Sequence, residues 1–105
     1  MRRLLPLLLT LPGLAQAADF PALLTLREHR FVPGELRVPA GKRIRITIEN
    51  QDNSPEEFES YELNREKVIP GLSKGVVFIG PLKPGRYPFF GEFNQKTAQG
   101  VIVAE

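Results

Sequence analysis

The sequence of 105 residues contains no cysteine and no tryptophan, a single methionine and a single histidine. Each scarcity removes a class of chemistry. Without a thiol there is no disulfide, no thiolate metal ligand and no cysteine nucleophile. The methionine is Met1, so a chain trimmed at its N-terminus has no thioether for a soft metal. His29 has no second imidazole to join it, and a lone strand histidine reads as an ordinary surface or capped residue. Ser60 and Ser73 have no activating histidine, and no glycine-rich phosphate loop or metallohydrolase motif occurs. No enzyme is expected. Long apolar runs are missing too. The longest, Leu4 to Leu14, is broken by Pro6, Pro12 and Gly13 and falls short of the about 20 residues of a membrane-spanning helix.

That run has a different meaning. Arg2 and Arg3 precede it, and Ala15-Gln16-Ala17 follows it as an A-x-A cleavage site. Residues 1–17 are therefore expected to be a cleaved secretory signal peptide, and 18–105 one domain in the periplasm, with no membrane insertion after cleavage. No cysteine follows the run, so no lipid anchor is expected. Losing Arg2 and Arg3 takes the formal charge from +2 to zero. The basic character thus belongs to the export signal, which removes nucleic acid as a partner. A domain of this size buries roughly 60% of its unfolded surface, enough for one modest core without disulfides.

Strand signals fill the rest of the chain. Leu23 to Arg30 alternates imperfectly and reads as a first strand, Phe31-Val32-Pro33-Gly34 as a bend, and Glu35 to Val38 as a second strand. The clearest alternation is Lys42 to Asn50, which sets Ile44, Ile46 and Ile48 on one face and Arg43, Arg45, Thr47 and Glu49 on the other. Asn50 to Pro55 is a polar loop, and Glu56 to Tyr61 is extended with Phe58 inward. Glu62 to Gly71 is polar, with room for one helical turn before Pro70-Gly71. Lys74 to Ile79 is a further strand. From Pro84-Gly85 the chain enters an aromatic run, Tyr87-Pro88-Phe89-Phe90, then a loop, Gly91 to Gln99, and a closing strand, Gly100 to Val103. About seven short strands with regular turns imply an all-β antiparallel sandwich.

The ordered set Phe31-Val32-Pro33, Glu35 to Gly41, Ile44 to Asn50, Ser54-Pro55-Glu56, Pro84 to Phe89 and Gly100 to Val103 resembles the cupredoxin family over nearly all of residues 18–105. The wording Pro55-Glu56-Glu57-Phe58-Glu59-Ser60 through Gly85-Arg86-Tyr87 is most similar to small periplasmic cupredoxin-like proteins, akin to the cupredoxin domain of EfeO-type iron-uptake components. The resemblance implies a Greek-key β-sandwich. It also implies where a type 1 copper would sit: a His after the corner proline, a Cys, a second His and an axial Met. Here those positions are Glu56, Gly91, Asn94 and Ala98. Blue copper needs two imidazoles and a thiolate, so no type 1 copper is expected and no electron carrier.

The candidate metal ligands are Glu56, Glu92 and Asn94, with Glu57 and Glu59 as further carboxylates. Period two places Glu56 on the inward face with Phe58, while Glu57 and Glu59 face outward. Oxygen donors suit a weakly bound iron or copper ion; the competing reading is a salt bridge from Glu56 to a basic residue, or a cap on loop amides. Seven of the twelve acids lie between Glu49 and Glu66, whereas Arg27, Arg30, Arg37, Lys42, Arg43 and Arg45 make the first half basic. Two solvated faces of opposite charge are one reading, and a field that draws cations or a basic partner is the other. Phe93, inside the loop, is either a packing residue or one that faces a partner. Two functions stand open: a periplasmic accessory of metal uptake, handing iron or copper to a membrane permease or another uptake protein, and a metal-free interaction module on the same scaffold. A rim that binds a small ligand is a third.

Overall fold

The computed structural model describes residues 18–105; the expected signal peptide lies outside them. Among the described residues nine strands form two sheets: β1 (Phe20–Arg27), β2 (Arg30–Val32), β3 (Glu35–Val38), β4 (Ile44–Asn50), β5 (Glu56–Ser60), β6 (Arg65–Ile69), β7 (Ser73–Ile79), β8 (Gly85–Gly91) and β9 (Gln99–Ala104). One sheet has the order β2-β1-β4-β7, the other β3-β9-β8-β5-β6. Two pairings are parallel, β1 with β4 and β3 with β9. The expected all-β sandwich is the observed fold, but with nine strands where about seven were read, and with these two parallel pairings where an antiparallel sandwich was expected.

The isoleucine stripe sets the core. Ile44, Ile46 and Ile48 are fully buried, while Arg45 on the reverse side is exposed. Across the gap between sheets, Phe31 of β2 meets Phe58 of β5 and Phe89 of β8, with ring centroids 5.0–6.2 Å apart. Edge-on and tilted aromatic contacts of this kind add to the area they bury.

Three local expectations need correction. The strand read as Leu23 to Arg30 starts at Phe20 and ends at Arg27, and the bend read from Phe31 includes strand residues of β2. The break is a two-residue hairpin turn, Glu28 and His29, with φ of 52° and 57°. Left-handed backbone here costs non-glycine residues energy. Asp52 offsets it: its carboxylate accepts hydrogen bonds from Glu28 N–H (2.8 Å) and His29 N–H (3.0 Å). The helical turn read within Glu62 to Gly71 is instead strand β6, paired antiparallel with β5. The only helical piece among the described residues is a 3₁₀ turn, Glu92–Asn94, in the β8–β9 loop.

Asn50, at the end of β4, ties the adjoining loops together. Its side-chain amide donates to the carbonyls of Ser54 (2.9 Å), Ile69 (3.2 Å) and Pro70 (3.3 Å), and its Oδ1 accepts from Asp52 N–H (3.0 Å). These bonds fix the loop that leads into β5, and therefore where Glu56 starts.

Candidate functional site

Glu56 opens β5 on the inward face, two residues before Phe58, and is only 3% exposed. A carboxylate so buried needs hydrogen bonds, and the β8–β9 loop supplies them. Oε1 accepts from Phe93 N–H (2.8 Å) and from Glu57 N–H (3.1 Å), and Oε2 accepts from the Asn94 side-chain amide (2.6 Å). Every donor is neutral. Among the described residues no lysine, arginine or histidine forms an ion pair with Glu56. Of the two competing contacts read for Glu56, the cap on loop amides is the one present.

Glu56, Gly91, Asn94 and Ala98, the positions that the resemblance equates with copper ligands, are linked in space. Asn94 bonds Glu56; Ala98 N–H donates to Asn94 C=O (2.8 Å); Gly91 N–H donates to Ala98 C=O (2.7 Å). A Cβ at position 91 would lie 2.6 Å from Glu56 Cδ and 2.7 Å from Ala98 Cβ. The small residues at 91 and 98 thus leave the volume that the Glu56 carboxylate occupies. Type 1 copper does not fit this set, which offers neither thiolate nor imidazole. Oxygen is the only donor atom that Glu56 and Asn94 could present to an ion, and that suits hard cations.

Glu92 does not join Glu56 and Asn94. It is exposed on the first residue of the 3₁₀ turn, on the side of a second carboxylate group. Glu57 and Glu59 of β5 and Glu66 of β6 bring one oxygen each within 4.8 Å of the others. A hydrogen bond with Glu57 pushes the Glu59 carboxyl up to about 7, helped by desolvation and by the charges of Glu57, Glu66 and Glu92. Glu57 and Glu59 are outward as the alternation required. Sequence reading missed Glu66 as a member of this group because the β5–β6 pairing, Glu59 opposite Glu66, was hidden inside the segment read as a helical turn. His29 lies far along the chain from both groups, with its Nδ1 3.6 Å from the Asp52 carboxylate. Phe93 is half exposed at the loop tip.

Comparison with known proteins fits this geometry. Residues 4–104 match the family model described as a cupredoxin-like domain. An uncharacterized protein of Rickettsia prowazekii (strain Madrid E) is 45% identical over 80 residues, which cover 76% of this chain and 64% of that protein. Among solved structures, auracyanin A, a blue copper protein of Chloroflexus aurantiacus, superposes with a TM-score of 0.71 at 13% identity, over 84% of this chain and 100% of that one. The metal-binding domain of the Cu(I)-exporting P-type ATPase CopA of Streptococcus pneumoniae D39 gives 0.64 at 18% identity, over 81% and 84%. At such identities the structural likeness speaks for the fold alone. With the family model spanning nearly the whole sequence, the chain belongs to the cupredoxin-like family, as a member that has no cysteine with which to build a blue copper centre.

Proposed function

We propose that the protein is exported to the periplasm and serves there as a non-enzymatic accessory of metal uptake, holding an iron or copper ion weakly and passing it to a membrane permease or another uptake protein. The observation that carries this reading is the Glu56 carboxylate, buried under the β8–β9 loop and bonded only by neutral donors. Neutral donors satisfy its lone pairs without cancelling its charge, so the apical end of the sandwich favours a cation. Rotation of the Asn94 amide would turn its oxygen toward the same ion. The outward group of Glu57, Glu59 and Glu66, with Glu92, adds a negative field that concentrates cations at this end. Auracyanin A is a blue copper protein and the CopA domain binds metal, which is consistent with a metal role here.

Titration of the mature protein with Fe(III) and Cu(II) tests the reading. Wild type is expected to show one saturable site, weakened at least tenfold in Glu56→Gln, the scale on which single residues of a metal site act. Binding that survives unchanged in Glu56→Gln moves the ion elsewhere. No binding in either protein favours the second reading, a metal-free interaction module, which has its own observation: both oxygens of Glu56 are already bonded, so the carboxylate can close the loop without a metal. N-terminal sequencing of the protein from the periplasmic fraction is expected to begin at Ala18.

A further inference from the structure

The two outer faces of the sandwich carry opposite charge, and the pairing of one with the other goes beyond the field that the glutamates lend to the apical site. On the β1–β4–β7 face, β4 turns Arg45 outward between Pro21 of β1 and Phe78 of β7. The Arg43 guanidinium lies 4.3 Å above the Phe78 ring. Leu23 and Val76 flank Thr47 in the next row, and Leu23, Val76 and Phe78 are each more than a third exposed. Arg45 has no ion-pair partner among the described residues, and Arg43 reaches only Asp19, at 3.5 Å. An apolar centre beside the unpaired Arg45 is therefore open to solvent.

The outer face of β5, β6 and β8 is its chemical counterpart. Glu57, Glu59 and Glu66 lie together, and among the described residues none of them forms an ion pair. Beside them Tyr61, 73% exposed, packs on Phe90 with centroids 5.4 Å apart, and Val68 stands opposite Glu57. A hydrogen bond with Glu57 and desolvation, then the charges of Glu57, Glu66 and Glu92, raise the Glu59 carboxyl. Arginines set among apolar groups on one face match glutamates set among apolar groups on the other. The two faces belong to different sheets, so one molecule cannot bring them together.

We infer that the protein associates with a second copy of itself head to tail, the Arg45-bearing face of β1, β4 and β7 in one copy docking on the Glu59-bearing face of β5 and β6 in the next. Arg45 then pairs with the glutamate group, and Phe78, Val76 and Leu23 cover Tyr61, Phe90 and Val68. Such a contact is heterologous, so it leaves one face free at each end and adds copies with concentration.

Sedimentation velocity reads this directly. At low salt the mature wild type is expected to sediment faster as its concentration rises, and to return to the monomer value in about 1 M salt, where charges are screened beyond about 3 Å. Arg45→Glu and Glu59→Arg change exposed or half-exposed positions on opposite faces; each alone is expected to stay monomeric and to keep a cooperative thermal melt, which shows that the fold is intact. Mixed one to one, the two variants keep one intact face each and are expected to form a dimer that grows no further. A wild type that remains monomeric at low salt overturns the inference. So does association that both charge reversals leave intact. Binding of wild type to phosphatidylglycerol vesicles without self-association also overturns it, and assigns the arginine face to a lipid surface.

Discussion

Gly91 and Glu59 show how much a single side chain decides here. Gly91 sits at an extended φ of −96°, so a larger residue meets no backbone strain; what it meets is the Glu56 carboxylate and Ala98. Gly91→Ala is expected to lower stability by about 1–3 kcal/mol through overpacking, read as a shift in urea midpoint with the slope unchanged. Glu59 makes a prediction about pH. Its carboxyl is raised from 4.5 to about 7 in the folded protein, so folding takes up a proton between those values. The corresponding stability is fully present below about pH 4.5 and is lost as pH rises through about 7. Melting temperatures measured from pH 4.5 to 8 should therefore fall with rising pH in this window, and Glu59→Gln should flatten that fall. Glu56 facing inward was readable in advance, because Phe58 two residues on had to enter the core. Its partners were not. Nothing in Phe93-Asn94 announces that a backbone amide and a side-chain amide thirty-seven and thirty-eight residues away would close on it.

Strands whose two faces differ were the easy ones. The alternation of β4 came through because Ile44, Ile46 and Ile48 share one face and only Thr, Glu and Arg the other. β6 carries no such contrast: Arg65, Glu66, Lys67 and Val68 are all exposed at the edge of the sheet, and only Ile69 is buried. Its strand character comes from pairing with β5, and from Arg65, whose Nε–H donates to the Phe78 carbonyl of β7 (2.9 Å) across the sandwich edge. The end of β1 was hidden for a similar reason, since the Glu28–His29 turn depends on Asp52, more than twenty residues on. Asn50 and Asp52 thus act together on the hairpin and on the loop before β5. Asn50→Ala is expected to leave three buried or half-buried carbonyls short of a donor and to cost about 1–3 kcal/mol, measurable by urea unfolding. The same variant should speed amide exchange from Asp52 to Glu56, because that segment loses its tether.

Taken as one body, the domain depends on long-range packing. It has no disulfide, and β1 pairs with β4 and β3 with β9 across long separations of sequence. Folding of such topologies is slow among small domains, on the order of milliseconds to seconds. The sheets are joined at the centre by Phe31, Phe58 and Phe89, of which Phe58 and Phe89 are at most 1% exposed. Phe89→Ala is expected to cost about 3–5 kcal/mol, against a total of about 5–15 kcal/mol for a domain of this kind. Circular dichroism should find the variant either partly unfolded at 37 °C or melting far below wild type. The family likeness was visible in the order of turns and strands. The opposition of a glutamate face to an arginine face was only half visible, because charge clusters along the chain do not say which sheet will carry them.

The bond from Phe93 to Glu56 gives the molecule a built-in reporter. An amide proton aimed at a buried carboxylate resonates downfield and trades slowly with solvent deuterium, although the Phe93 side chain itself is half exposed. Any ion or partner that competes for Oε1 must release that proton, so one NMR cross-peak would register occupancy of the apex while the rest of the spectrum stays still.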